Sequence, residues 1–540
     1  MRLLNAESRQ LCEFFGSEIP EYAILSHTWG KDEVSYRDIR KVPNHREKAG
    51  YAKINGCCVQ AMRDDISWVW IDTCCIDKKS SAELSETINS MYRYYEESKV
   101  CYVYLADVGK RQQDGLGFWT EVRQSRWFTR GWTLQELLAP KRLAMFNQHW
   151  VLLDRCTYGP LFHLDTEWSV AITEATGISS DYFRPPRNPV TEATVAERLS
   201  WAARRETTRR EDMAYCLLGL FQLNMPLLYG EGDRAFVRLQ EEIIRTTNDH
   251  TILTWGLGYS PGSFISGHRL YKPDWQLQSP LVPSPDLFED WGSSPALKTF
   301  LSADLPGKIQ VLGRGFPYTM TNSGIQMELP LIWLDKANGV ALAILNCGTH
   351  WNSANGSYVS LPLVFSVEAQ GAVGLESFSI ASRAHGILPF LVPHAIDQFA
   401  ERTTLFLTES IAAYSWNYQP RPKGRSSDIF LHVAPLVSLG FYLTDFCPPH
   451  LFTDEIEDMI YNSVLLMRTD RCPGLLRFER PDGVSILLLV YTQVYSYSLN
   501  DPDALEVVGS FRKILPVFMG YILPIPCPRT RETQERFGHS

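Results

Sequence analysis

The sequence predicts an α/β domain, then a helical extension, then a mainly β carboxyl-terminal domain, and three observations carry that order. Over the first 150 of 540 residues, short apolar runs alternate with amphipathic helical stripes. From Thr191 to Asn248 the apolar period stays helical, and beyond Trp255 the Gly and Pro density rises while the helical stripes fade. The expected boundaries are 1–160, 161–255 and 256–540. Strands alternating with helices imply a parallel sheet with helices on both faces.

Taken in order, Tyr22 to His27 is a short apolar run followed closely by a glycine, and Asn44 to Asp65 is a helix with Ile54, Cys58, Ala61 and Met62 on one face. Ser67 to Asp72 is the next strand. Ser80 then opens a capping box with Glu83, and Leu84, Ile88, Met91, Tyr92 and Tyr95 mark the buried stripe of a helix. Val100 to Leu105 is a third strand, a short helix around Glu136 ends at Pro140, and Leu143 to Phe146 is a fourth strand. In the extension, Thr194 with Glu197 and Thr208 with Glu211 have capping-box spacing, Met213, Cys216, Leu217 and Leu220 form a stripe, and Gly230 and Gly232 lead into a helix carrying Phe236, Leu239 and Ile243. Arg198, Arg204, Arg205, Arg209 and Arg210 fall within thirteen residues, a density that reads first as an ion-pair network with Glu206, Glu211 and Asp212 and second as a phosphate site.

The remaining chain reads as strands at Lys308–Leu312, Val340–Leu345, Tyr358–Val367, Thr404–Leu407 and Ile429–Val433, with sandwich or barrel left open. Leu475–Arg480 and Val484–Tyr491 are joined by Pro481-Asp482-Gly483, a hairpin signal whose residues supply the turn's backbone angles. No catalytic motif stands in this region.

With 45% hydrophobic and 21% charged residues the chain can bury several cores, and a net charge of -9 argues against nucleic acid or anionic lipid as a whole-protein partner. No apolar stretch reaches the ~18 residues of a membrane span, and the start lacks the features of a signal or transit peptide. A cytoplasmic protein is expected, its 12 cysteines reduced thiols. The Cys57-Cys58 and Cys74-Cys75 doublets lack the two-residue gap of a zinc chelate, so no metal site is expected. Motifs for ATP hydrolysis, Rossmann-type redox chemistry and serine hydrolysis are absent.

In an open α/β sheet ligands bind outside the carboxyl ends of the strands. The residues there are Ser26, His27, Thr28, Trp29 and Gly30 after the first strand, Asp72, Thr73 and Asp77 after the second, and Asp107 after the third. Glu136, flanked by Leu134, Leu137 and Leu138, is an acid where a solvated face should not be, and such a group has either a partner or a task. Arg126 or Arg130 is the structural partner on offer; catalysis is the other reading.

Ala23-Ile24-Leu25-Ser26-His27-Thr28-Trp29-Gly30, Trp70-Ile71-Asp72-Thr73-Cys74-Cys75-Ile76-Asp77-Lys78 and Arg130-Gly131-Trp132-Thr133-Leu134-Gln135-Glu136-Leu137 resemble, in order and spacing, the three signature blocks of the fungal heterokaryon-incompatibility (HET) domain. The stretch from Ser200 to Gly232 resembles the segment that often follows it. The resemblance implies a flavodoxin-like, Toll/interleukin-receptor-like sheet and a role in non-self recognition and regulated cell death, with self-association or another incompatibility protein as partner. Enzymatic Toll/interleukin-receptor domains cleave NAD with a glutamate in a Ser-x-Trp-Cys-x-x-Glu block; here the Trp and Glu match as Trp132 and Glu136, but Arg130 and Thr133 stand in place of the Ser and Cys. NAD as substrate, Glu136 as its catalytic group, and Ser26, His27, Trp29, Asp72 and Trp132 as substrate contacts are the resulting expectations. The rival expectation is a non-enzymatic signalling and oligomerisation module.

Overall fold

The computed structural model describes residues 1–41, 44–109, 116–156, 166–183, 188–256 and 279–293 and, beyond 297, the strands of the carboxyl-terminal half. Two compact units divide the chain: Met1–Thr246 with Val282–Gly292, and Thr247–Leu281 with Ser293–Ser540. No helix among the described residues is long and apolar enough to cross a membrane.

The first unit is built on seven strands: β1 (Arg2–Asn5), β2 (Leu11–Glu13), β3 (Ala23–His27), β4 (Trp68–Trp70), β5 (Val100–Leu105), β6 (Leu143–Asn147) and β7 (Leu152–Cys156), in the spatial order β2-β1-β4-β3-β5-β6-β7. The four central strands are parallel, with Ile24 opposite Trp70, Ser26 opposite Val103 and Tyr102 opposite Ala144. Every residue of β3 and β6 is buried, as expected of parallel strands covered on both faces. The outer strands pair antiparallel, so the sheet is mixed rather than all parallel. Short turns are the reason: Asn5 Oδ1 accepts from the amides of Glu7 and Ser8, and Asn147 Oδ1 from those of His149 and Val151, so neither edge needs a crossover helix.

Helices α1 (Tyr36–Lys41) and α2 (Tyr51–Arg63) join β3 to β4; α3 (Ser81–Glu97) joins β4 to β5; α4 (Leu116–Arg123) and α5 (Thr133–Leu138) lie between β5 and β6. The parallel strands run in the order β4-β3-β5-β6, so the chain reverses direction at β3, and right-handed crossovers carry α2 over one face and α3 and α5 over the other. The expected helix from Asn44 begins only at Tyr51, because a separate turn at His45–Glu47 and the Gly50 amide, bonded to Asp32 O, precede it. Met62 proves exposed, while Cys57 joins Ile54, Cys58 and Ala61 inside. Ser80 caps α3 by accepting from the Glu83 amide, but the Glu83 carboxylate turns to Asp77 N and Arg2 rather than closing the box. The interior of α3 carries Ile88, Met91, Tyr94 and Tyr95.

Helices α6 (Thr166–Thr176), α7 (Val195–Ser200), α8 (Asp212–Tyr215) and α9 (Arg234–Thr246) follow in the same unit. Thr194 caps α7 through the Glu197 amide, as its spacing predicts. Thr208 does not cap α8; its hydroxyl accepts from Arg130 Nη2 instead. The arginine cluster is spread over other partners rather than gathered on Glu206, Glu211 and Asp212, although the charge of Arg209 acts on Glu211 and Asp212. Arg204 pairs with Glu289, Arg210 with Asp233, Arg209 lies over Tyr229, and Arg198 and Arg205 donate to backbone carbonyls.

In the second unit β8 (Lys298–Thr299), β9 (Tyr318–Thr321), β10 (Gly324–Asp335), β11 (Val340–Thr349), β12 (Ser357–Phe365), β13 (Ser379–Arg383), β14 (Phe390–Pro393) and β15 (Glu401–Leu407) form one sheet, antiparallel except for β13 with β15. The pairings β12-β13-β15-β10-β11 return to β12, which closes a five-stranded ring and settles the choice toward a barrel. Further along, Gly474–Glu479 and Ser485–Val490 pair antiparallel with Glu479 opposite Ser485, the hairpin expected around Pro481-Asp482-Gly483, although the turn itself lies outside the described residues. The strand expected at Lys308–Leu312 also lies outside them.

Candidate functional site

Glu136 sits on α5, a six-residue helix whose side chains are all buried, and is itself 9% exposed. Its neighbour comes from the middle of the sheet. Ser26 Oγ donates to Glu136 Oε2 at 2.5 Å and accepts from Trp127 Nε1 at 2.7 Å. Trp127 is held inward by the tight turn Arg126–Thr129, capped by Ser125, and Ser125 is fixed in turn by Asp107. Tyr95 bonds Glu136 from α3 while giving its own proton to Leu25 O at 3.2 Å. A hydroxyl has one proton. The Tyr95 proton is therefore shared between Leu25 O and the Glu136 carboxyl, which also accepts from Ser26, itself the acceptor of the Trp127 indole.

The electrostatics agree with that geometry. Burial pushes the Glu136 carboxyl up to about 8; the field of Asp72 adds to the rise, while the bonds from Ser26 and Tyr95 and the Arg205 guanidinium moderate it. The group is thus neutral at pH 7 in the resting protein. Neither Arg126 nor Arg130 pairs with it: the Arg126 amide donates to Asp107, and Arg130 reaches Thr208.

His27 ends β3, with a side chain only 2% exposed. Burial, then the charge of Lys53, holds its imidazole down to about 3, so it is neutral as well. Its Nε2 stands 3.9 Å from Asp72 Oδ1 and 4.0 Å from Glu33 Oε2, and both His27 Nε2 and Asp72 Oδ1 are buried without a hydrogen-bond partner among the described residues. Each of these two atoms thus retains an unused hydrogen-bonding capacity at the sheet end. The other oxygen of Asp72 accepts from Trp29 Nε1 at 2.8 Å, and Trp29 is 49% exposed with Lys78 Nζ 3.3 Å from its ring centre. Lys53 is bonded to Glu33 and to Thr28 O, which fixes the loop after β3.

The structure therefore brings Ser26, His27, Trp29 and Asp72 to the same sheet end as Glu136, with Ser26 already committed to that carboxyl. Trp132 goes elsewhere: its indole bonds Asp212 at the start of α8. Asp107 and Asp77 serve turns, accepting from Arg126 N and Lys79 N. Trp127, Glu33 and Lys53 were not singled out from the sequence and Tyr95 only as a core residue, though Trp127 lies in the aromatic run before Glu136. Among the described residues no cluster of His, Cys, Asp and Glu is arranged to hold a metal ion, and the cysteines there are free thiols. Burial raises the thiols of Cys57, Cys58 and Cys101, which marks them as packing groups rather than nucleophiles.

Residues 22–118 match the family described as heterokaryon incompatibility protein (HET). Over 254 residues, 45% of the chain, the sequence is 44% identical to the vegetative incompatibility protein HET-E-1 of Podospora anserina. The chain carries a HET domain. The alignment spans 18% of that relative's own length. Residues 234–350 match a second family, described as a domain of unknown function (DUF8212), and no solved structure matches the chain. Ser26, His27, Trp29 and Asp72 fall inside the matched part of the HET domain, while Glu136 and Trp127 lie beyond it.

Proposed function

We propose that the chain is an effector of fungal vegetative incompatibility that acts in the cytoplasm, in which its HET domain turns recognition of a non-self partner into regulated cell death, with Glu136 acting on NAD. The resemblance to HET-E-1, a vegetative incompatibility protein, supports the biological role. The strand order β4-β3-β5-β6, which reverses at the first of the parallel strands, supports a flavodoxin-like, Toll/interleukin-receptor-like reading of the sheet. The observation that carries the chemical part is the buried Glu136 carboxyl bonded to Ser26 near the carboxyl end of β3, the sheet end that also holds the unpartnered atoms of His27 and Asp72.

Nicotinamide leaves NAD as a neutral molecule from a charged pyridinium, so one carboxylate that stabilises the oxocarbenium-like transition state suffices and no general acid is required. Glu136 must be ionised for that task. A pyridinium seated beside it favours the ionised form, because an opposite charge within a few ångström offsets the burial that keeps it neutral. A ribose hydroxyl between His27 Nε2 and Asp72 Oδ1 would satisfy both, and Trp29 offers an exposed ring for stacking. The partner is a second copy of the chain or another incompatibility protein.

One observation favours the signalling-module reading: Ser26 and Trp132, two of the five expected substrate contacts, are spent on bonds inside the protein. Mass-spectrometric NAD and nicotinamide content, in cells expressing the full chain or its Glu136→Gln variant at matched soluble level, separates the two. Loss of NAD with rise of nicotinamide only in the unsubstituted chain supports the enzyme. Cell death with steady NAD leaves the scaffold, and NAD loss that survives Glu136→Gln removes Glu136 from the chemistry.

A further inference from the structure

Arg205 belongs to the turn after α7, outside the α/β sheet, yet it is 2% exposed. Its Nε donates to Trp201 O at 3.1 Å, and its Nη1 to Arg130 O at 2.9 Å and Thr133 Oγ1 at 3.1 Å. Thr133 opens α5, and its hydroxyl also donates to Trp127 O at 2.5 Å. The guanidinium thus holds the amino-terminal turn of the Glu136 helix and, through Thr133, the backbone of the tryptophan that holds Ser26. Close backbone contact ties the same places together: Gly131 N donates to Glu206 O at 2.9 Å and Glu206 N to Thr129 O at 2.6 Å.

Nη2 of Arg205 is buried with no hydrogen-bond partner, and Arg205 has no ion pair, among the described residues. A buried cation without a counter-ion is costly. Burial lowers the pKa of Arg205, and among the described residues the groups whose fields oppose that are the Cys216 thiol and one carboxyl, that of Glu136.

We propose that Arg205 is the positioning residue and standing counter-charge of the Glu136 site, so that the site is complete only with the helical segment that follows the sheet. It rests on the reading that Glu136 ionises when the domain acts. In the resting protein Arg205 clamps α5 through Arg130 O and Thr133 Oγ1; when Glu136 loses its proton, the guanidinium charge acts on the new carboxylate. The other groups facing the carboxyl are Ser26 from β3, Asp72 after β4, Tyr95 from α3 and Cys101 from β5, none of them cationic at neutral pH.

The test reads the titration of Glu136 without using activity. Dicyclohexylcarbodiimide reacts with protonated carboxyls in apolar surroundings, so labelling of the Glu136 peptide in the full chain, followed by mass spectrometry across pH, falls with a midpoint near 8. Removing the charge in Arg205→Gln should raise that midpoint by roughly one pH unit, the order expected for a unit charge several ångström away at an effective dielectric near 20. Arg205→Lys, which keeps the charge, should return it most of the way. A folded Arg205→Gln chain with the unsubstituted midpoint overturns the proposal. Should Arg205→Gln fail to fold, Arg205→Met, which keeps the packing of the stem and removes the charge, decides: a raised midpoint supports the assignment and an unmoved one refutes it. NAD content has no part in this readout. A moved midpoint with steady NAD therefore retires the NAD reading alone, and an unmoved midpoint with NAD loss retires Arg205 alone.

Discussion

Glu136→Gln should make the first unit more stable, and by an amount that depends on pH in a defined way. The side-chain amide has the shape of the protonated acid and its oxygen accepts from Ser26, so the bonds running from Trp127 through Ser26 survive. What disappears is a titration. The carboxyl ionises near 4.5 in the unfolded chain and at about 8 in the folded one. Below 4.5 both states hold the proton and the group favours neither. Between 4.5 and 8 only the folded state holds it, so stability falls as pH rises, by about 1.4 kcal/mol per unit. The loss reaches about 3 kcal/mol at pH 7 and about 5 kcal/mol from pH 8 upward, where it levels off. Glutamine has no such slope. Urea unfolding of both chains from pH 4 to 9, read by hydrogen exchange on peptides of the first unit, gives the difference directly, and the acid titration of His27, common to both, cancels. A difference that stays flat from pH 5 to 8, or a glutamine variant less stable at pH 8, refutes the protonated, buried state argued for Glu136.

Ser26→Ala leaves the Trp127 indole N–H and one Glu136 oxygen buried without a partner, and should cost about 2–4 kcal/mol in chemical denaturation. His27 stays neutral down to about pH 3 in the folded protein, so as pH falls below 6.5 the unfolded chain alone takes up a proton and stability drops; His27→Gln should flatten that part of the acid limb in urea midpoints measured from pH 4 to 7. Gly219→Ala would place a Cβ 2.0 Å from Tyr92 Cβ, against the body of α3 rather than a movable side-chain end, and should destabilise by roughly 3 kcal/mol or more, seen as a lowered first melting transition. Thr194→Ala removes the bond to the Glu197 amide that caps α7 and should cost about 1 kcal/mol in the same melt.

The central strands were legible because parallel strands covered on both faces read as unbroken apolar runs, as Val100–Leu105 does without error. The edges were not: β1, β2 and β7 are three to five residues long and half polar, and the asparagines that turn them do not stand out from other loop residues. That Glu136 is special was visible in its apolar company; its partner was not, since Ser26 lies 110 positions away and is brought to it by the order of strands. Trp127 and Trp132 are five residues apart, and a turn rather than a helix at Arg126–Thr129 decides which indole points at Ser26. The five arginines between 198 and 210 look alike in sequence. Only packing makes Arg205 the buried one while Arg204 and Arg210 reach solvent-facing acids.

The neutral state of Glu136 bears on whether the domain is an enzyme or a scaffold. A scaffold needs only the bond from Ser26, and glutamine accepts it without the cost of about 3 kcal/mol that the acid carries at pH 7. An acid at this position is an advantage only if it ionises at some stage, which is what a carboxylate facing a developing positive charge does. The buried guanidinium of Arg205, with one nitrogen left free, has the same form: it is a cost at rest and an asset once the carboxylate is charged. Stability given up at a site in this way is the usual mark of a group kept for function. If the pH-dependent gain in Glu136→Gln is found together with loss of cell death, the acid acts by its charge. If the gain is found and cell death is unchanged, the site is structural, and incompatibility signalling must run through the surfaces of the HET domain instead.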